Sequence, residues 1–256
     1  MKLSFSTKGW HNSTFDDFID IAEDLKFQGI ELHNINNRLF TDKDGAFHDY
    51  AAAATLRKLY EKKLEIPCID AILDLGATES AKETVLEIER CLNIAENLHI
   101  PSIRMRAFEG GSVDTVKKII SAVLPKAEEI GVTLLIETSG IFSSTKDLRE
   151  VLDYFASDNL AALWQMSAAY FGCGESSEDI VKNLGKYIKH VQFNDAVKTD
   201  NSVEYCLAGE GEMPIADFML TLRSVNYDGY ISLVWDPAWC EELDDMEISS
   251  HSSLTI

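Results

Sequence analysis

The chain has 256 residues, 46% of them hydrophobic, which is enough to bury the core of one large domain or two small ones. Forty-three acidic and 23 basic residues give a formal net charge of −20 at pH 7. This charge repels phosphate backbones and anionic lipids, which argues against nucleic acid and membranes as partners. The 5 cysteines include no C-x-x-C pair and the N-terminus has no apolar leader, so a reducing cytoplasm is the expected location.

Short apolar or β-branched runs alternate with longer segments of helical periodicity along the chain. Eight runs predict strands, in the order KLSFS, GIELH, IPCIDA, PSIRMRA, VTLLIET, LAALW, IKHVQF and YISLVW. The clearest predicted helices cover residues 14–25, 51–63, 79–98 and 113–130. Eight strand–helix units without a Gly/Ser-rich or Pro-rich linker predict one α/β domain over residues 1–256, a closed (β/α)8 TIM barrel.

The tail after the eighth strand reads CEELDDMEISSHSSLTI and has few apolar residues at helical spacing. Its serines and threonine compete with helical hydrogen bonding, so the sequence predicts a short or incomplete eighth helix. An apolar strip between the first and seventh helices would then remain open. A second copy in a homodimer, or an extension missing from the C-terminus, could cover it.

Functional residues of a parallel barrel lie at the C-terminal strand ends and in the loops that follow them. Here these regions contain GIEL, IETSG, LW, IKHV, AGEGEMP and YDGYISLVWDP, in this order. Over about Lys2 to Pro237 the motifs resemble those of the xylose isomerase-like barrels, the sugar phosphate isomerases/epimerases. The resemblance implies proton transfer on a small sugar or sugar phosphate, assisted by Mn²⁺, Mg²⁺ or Co²⁺ at the barrel mouth.

The resemblance also implies four metal ligands at strand ends, typically Glu, Asp, His and Glu. The first position is Glu137, which would also be the catalytic carboxylate. The other three hold Gln165, Gln192 and Val234, which lack the expected charge or donor atom. Asp236 could substitute as a ligand from one layer higher, or act as a loop acid that caps the next segment. We expect the four positions to converge, and a metal to bind weakly or not at all.

Candidate substrate-binding residues lie near the strand ends: Glu31, His33, Arg104, His190, Glu210 and Trp10. Arg104 and Arg106 alternate onto one face of their strand, where a cation suits a phosphate or carboxylate; pairing with Glu137 or a neighbouring acid is the alternative. Glu210 could reach a ligand from the loop after the seventh strand, or belong to an acidic turn. Trp10 could line the apolar rim of a sugar site, or pack in the core.

Two functions are left open by the sequence. The first is a sugar phosphate isomerase/epimerase whose metal site is degenerate. The second is a non-catalytic relative, a pseudoenzyme that binds a sugar, a polyol or a protein partner at the same mouth. An endonuclease of the same fold would need clustered zinc-binding histidines and a basic surface, and the sequence has neither.

Overall fold

The computed structural model describes residues 1–10, 13–33, 45–200, 202–236 and 239. Its strands are β1 (Lys2–Ser6), β2 (Gly29–His33), β3 (Ile69–Asp74), β4 (Ser102–Arg106), β5 (Thr133–Glu137), β6 (Leu160–Gln165), β7 (Ile188–Phe193), β8 (Asp195–Lys198), β9 (Val203–Cys206) and β10 (Tyr230–Leu233). Strands β1 to β7 and β10 pair in parallel and close into a barrel, in which β10 lies between β7 and β1. The predicted (β/α)8 barrel is therefore confirmed.

Helices connect the barrel strands. They are α1 (Phe15–Asp24), α2 (Ala52–Lys62), α3 (Ala81–Leu98), α4 (Val113–Ile130), α5 (Thr145–Phe155), α6 (Met166–Cys173), α7 (Ser177–Leu184) and α8 (Ile215–Ser224). Helix α1 shows why they form where the periodicity places them. Thr14 and Asp17 make a capping box at its start, and Phe15, Phe18 and Ile19 turn one apolar face toward the sheet core.

Three of the predicted strands, KLSFS, GIELH and IKHVQF, match β1, β2 and β7 residue for residue. The third strand starts later than predicted, at Ile69, after Pro67, which has no N–H to donate to the ladder. A feature that the periodicity missed is the antiparallel pair β8–β9, which follows β7 and has only four residues in each strand. The predicted short eighth helix, over residues 243–256, lies outside the described residues.

The interior of the barrel is polar toward the carboxyl ends of its strands. One large apolar core fills the space between the sheet and the helices, while a small cluster of Cys68, Leu135, Ala161 and Leu163 is separate from it. Other buried side chains of the strands are polar or charged: Ser4, Glu31, Asp70, Arg104, Glu137, His190 and Ser232. Such groups stay buried only when they are paired, so their partners define the site. Across the described ranges, no helix has the length and hydropathy to cross a bilayer.

Candidate functional site

A cavity of about 270 Å³ opens at the carboxyl ends of the barrel strands. Glu137, Gln165, Gln192 and Val234 all line it, as does Arg104. The predicted convergence of the four strand-end positions is therefore confirmed, and its cause is the parallel sheet, which presents all its carboxyl ends on one side.

The guanidinium of Arg104 lies between two buried carboxylates. Its Nη1 donates to Asp70 Oδ2 at 2.6 Å, and its Nε donates to Glu137 Oε2 at 2.5 Å. Its Nη2 also contacts Glu137 Oε2. Burial would lower the pKa of Arg104, but Asp70 and Glu137 raise that pKa above its ordinary value. The charge of this guanidinium is therefore fixed, and it joins β4 to both neighbouring strands.

The same cluster sets the ionisation of Asp70. Burial would raise the pKa of this carboxyl, but Arg104 and His33 outweigh burial and lower the pKa to about 2. His33 is half-buried and its Nδ1 contacts Asp70 Oδ2. The structure therefore gives this histidine a partner inside the barrel.

A second polar cluster holds Glu31 and His190 inside the barrel, and neither residue lines the cavity. His190 Nε2 lies 2.9 Å from both Glu31 Oε2 and Ser232 Oγ. Gln192 Nε2 donates to the other oxygen of Glu31. Burial would raise the pKa of Glu31, but the hydrogen bond and charge of His190 help to lower it. These contacts make Glu31 a fixed acceptor beneath the site.

Gln165 ends β6 and also caps the next helix. Its Oε1 accepts hydrogen bonds from Ala168 N at 2.8 Å and from Ser167 Oγ at 2.9 Å, which satisfies the start of α6. Its Nε2 donates to Asn194 Oδ1 at 3.3 Å. The amide oxygen at this expected metal-ligand position is therefore committed to the helix.

Five of the six predicted substrate contacts do not line the cavity: Glu31, His33, His190, Trp10 and Glu210. Trp10 is buried in the main apolar core, which corresponds to the packing alternative. Glu210 is exposed because the loop around it folds onto Asp195, whose Oδ2 accepts from Gly209 N at 2.9 Å and Gly211 N at 3.0 Å.

The divalent metal expected from the resemblance does not fit the donors present. Glu137 is bound by a guanidinium, the oxygen of Gln165 caps a helix, and Val234 supplies no donor. Asp236 Oδ2 lies 3.8 Å from Lys8 Nζ. Within the described part of the chain, no three His, Cys, Asp or Glu side chains are grouped to hold a metal ion. A hard cation requires several charged oxygen ligands together, and this mouth does not offer them.

Sequence reasoning missed Asp70, Lys8 and Asn194. Asp70 is a fully buried carboxylate inside strand β3, and a buried acid needs a partner. Lys8 and Asn194 line the cavity just after β1 and β7. Their positions directly after the carboxyl ends of strands were the sequence signal that could have identified them as cavity residues.

Solved structures of low sequence identity share this fold. The probable 3-DHS dehydratase AsbF from Bacillus anthracis is 19% identical, with a TM-score of 0.78 over 100% of this chain and 99% of that chain. The 3-keto-D-glucoside 4-epimerase YcjR from E. coli is 15% identical, with a TM-score of 0.76 over 100% and 98%. The IOLI protein, solved with a zinc atom, is 14% identical, with a TM-score of 0.83 over 100% and 96%. A sequence comparison with curated proteins found no match.

A family model supplies the sequence evidence that these structural likenesses lack. The model described as the xylose isomerase-like TIM barrel matches residues 19–249, a span that runs from α1 past the last barrel strand. Together with the closed parallel barrel, this match shows that the chain belongs to the xylose isomerase-like TIM barrel family.

Proposed function

We propose that this member of the family binds a small hydroxylated molecule at the barrel mouth without a metal ion, and that it does not carry out metal-assisted proton transfer. The observation that carries the proposal is the guanidinium of Arg104, held by Asp70 and Glu137. A monovalent cation built into the chain neutralises the carboxylate that the resemblance assigns to a divalent metal.

Metal binding at Glu137 Oε2 would have to displace this guanidinium. A buried ion pair that loses one partner typically costs about 3–5 kcal/mol, because the remaining charge is left without compensation. Neutral Gln165, Gln192 and Val234 would contribute no charge to offset that cost. Proton transfer between two carboxylates also lacks the second carboxylate, because the fourth expected ligand position is occupied by Val234.

The second candidate is a sugar phosphate isomerase/epimerase that uses Mn²⁺, Mg²⁺ or Co²⁺. Membership of the family supports it, as does the epimerase among the solved relatives. Glu137 also lines the cavity, where a catalytic carboxylate would be needed. This function requires Arg104 to release Glu137 when the metal and substrate bind.

Metal titration separates the two candidates. Calorimetry and thermal unfolding of EDTA-treated protein with Mn²⁺ should show no binding and no stabilisation. A bound metal would add about 2.7 kcal/mol at a hundredfold excess over its dissociation constant, and that change is easily measured. The variant with Gln165→Asp, Gln192→His and Val234→Glu should also fail to bind while Arg104 remains. Adding Arg104→Met to these three changes should create measurable affinity.

The triple variant is the matched control for the quadruple one, because the two differ only at Arg104. Stabilisation of the unmodified protein by Mn²⁺, or Mn²⁺-dependent exchange of a sugar C–H proton with D₂O in an NMR assay, would contradict the proposal and favour the isomerase. Equal metal affinity of the triple and quadruple variants would show that Arg104 does not block the site.

A further inference from the structure

Two buried amides that line the cavity each have one polar atom without a partner. Gln192 and Asn194 are no more than 2% exposed. Gln192 Oε1 and Asn194 Nδ2 make no hydrogen bond to any described residue. A buried polar atom left unpaired costs about 1–3 kcal/mol, so these atoms call for a ligand.

The hydrogen-bond chains behind these amides fix which group each one presents. The N–H of Ala168 orients Gln165, and Gln165 Nε2 then donates to Asn194 Oδ1, which leaves the NH₂ of Asn194 open as a donor. The NH₂ of Gln192 donates to the carboxylate of Glu31, which leaves the carbonyl oxygen of Gln192 open as an acceptor. An acceptor near the end of β7 and a donor two residues later, both in the cavity wall, match the hydroxyl groups of a polyol.

Cationic side chains also line the cavity. Arg106 and Lys8 both line it, and the Arg106 guanidinium lies 4.8 Å from the ring centre of Phe108. Arg106 makes no ion pair with a described residue, and Lys8 Nζ is 3.8 Å from Asp236. Burial lowers the pKa of Lys8, the charges of Arg104 and Arg106 lower it further, and Asp236 and Asp70 oppose this shift. An anion between them would relieve this repulsion.

The cavity also limits the size of its ligand. Its volume of about 270 Å³ is at the lower end for small-molecule sites and suits a single monosaccharide-sized molecule. Tyr205 and Trp239 stack at 4.1 Å in its wall and offer an apolar surface for the C–H face of a sugar.

We propose that the ligand is an anionic polyol of monosaccharide size, whose charged group binds between Lys8 and Arg106 and whose hydroxyls bind Gln192 and Asn194. This inference rests on the proposed metal-free binding function. The recognised chemistry is an oxyanion beside a chain of hydroxyls, and a sugar acid or a phosphorylated sugar would provide it. The acids that line the cavity do not oppose it, because Glu137 is paired with Arg104 and Glu109 is exposed.

The test compares probes that differ in charge. Thermal unfolding and calorimetry in EDTA at constant ionic strength would use D-gluconate, D-glucose 6-phosphate, inorganic phosphate and neutral D-glucose. Gluconate or glucose 6-phosphate should bind at least tenfold more tightly than glucose, and the better of the two identifies the carboxylate or the phosphate ester. A chain of net charge −20 repels anions in general, so saturable binding of an anion in the calorimeter reports a local site.

Three variants locate the binding groups. Arg106→Gln should weaken every anionic probe about tenfold or more. Asn194→Leu should weaken the polyol anions and leave inorganic phosphate unchanged. Lys82→Gln removes a cation from the outer surface of α3 and should change nothing.

Two failures remain distinguishable. Binding that is lost in EDTA and restored by Mn²⁺ would overturn the proposed metal-free function. Metal-independent binding of glucose as tight as that of the anions, unaffected by Arg106→Gln, would overturn the anionic ligand while leaving the metal-free function in place. Absence of binding by all four probes would overturn the anionic ligand as well.

Discussion

Replacing Arg104 with methionine would leave two carboxylates buried in the barrel without their cation. Asp70 is 1% exposed and Glu137 is 3% exposed, so little water reaches either carboxylate. The change removes the donor bonds at 2.6 Å and 2.5 Å and keeps a side chain of similar length. It therefore isolates the charge of Arg104 from its packing.

The expected cost follows from these contacts. Removal of one partner from a buried ion pair costs about 3–5 kcal/mol, which is a large part of the 5–15 kcal/mol that stabilises a typical domain. For a protein of this size, the midpoint of thermal unfolding should fall on the order of 10 °C.

The pH dependence of stability should also weaken. In the unmodified protein, the pKa of Asp70 lies at about 2, below its ordinary value of 3.8, so this group stabilises the fold above the ordinary value and loses its effect as the pH falls through about 2. Without Arg104, burial is opposed by His33 and Arg106 alone, so the pKa of Asp70 rises from about 2. The variant should therefore lose less stability than the unmodified protein as the pH falls from neutral toward the acid range.

Urea unfolding at pH 7 and at about pH 3 measures both effects. Arg106→Met is the matched control, because Arg106 makes no ion pair with a described residue, and it should cost less than about 1 kcal/mol. A variant that combines Arg104→Met with Asp70→Asn and Glu137→Gln should recover much of the lost stability, since it removes all three charges together. An Arg104→Met protein as stable as the unmodified one at pH 7, with the same pH profile, would refute the reasoning.

Three other features lead to measurable outcomes. Asp195 accepts hydrogen bonds from four backbone N–H groups. In denaturant unfolding, Asp195→Ala should cost on the order of 3 kcal/mol and Asp195→Asn should cost less. Asp195→Ala should also speed proteolysis of the loop that Asp195 holds. The stability difference between the unmodified protein and Asp70→Asn should be greatest above pH 3.8 and should shrink as the pH falls to about 2; a difference that is constant over this range would contradict the ion pair. Thr14→Ala should cost about 1 kcal/mol through loss of the cap on α1, whereas an unchanged unfolding midpoint would mean that this cap contributes nothing.

The sequence alone determined the barrel and its functional end. Period-two runs, helical periodicity and the absence of linkers are local signals of burial, and local burial is what builds parallel strands and their covering helices. Once the strands are parallel, their carboxyl ends must lie together, and so Glu137, Gln165, Gln192 and Val234 were correctly predicted to converge. No distance was needed for that prediction.

Only the tertiary structure decided what these residues contact. The sequence left two roles open for Arg104, substrate binding and pairing with Glu137. The second partner of Arg104 is Asp70, which lies 34 residues away in the chain. The role of Gln165 as a helix cap and the outward position of Glu210 likewise depend on which groups approach within about 3 Å, and hydrogen bonds act only over such distances. Periodicity records which side chains are buried but carries no information about their partners, and the partners set the charge of the site.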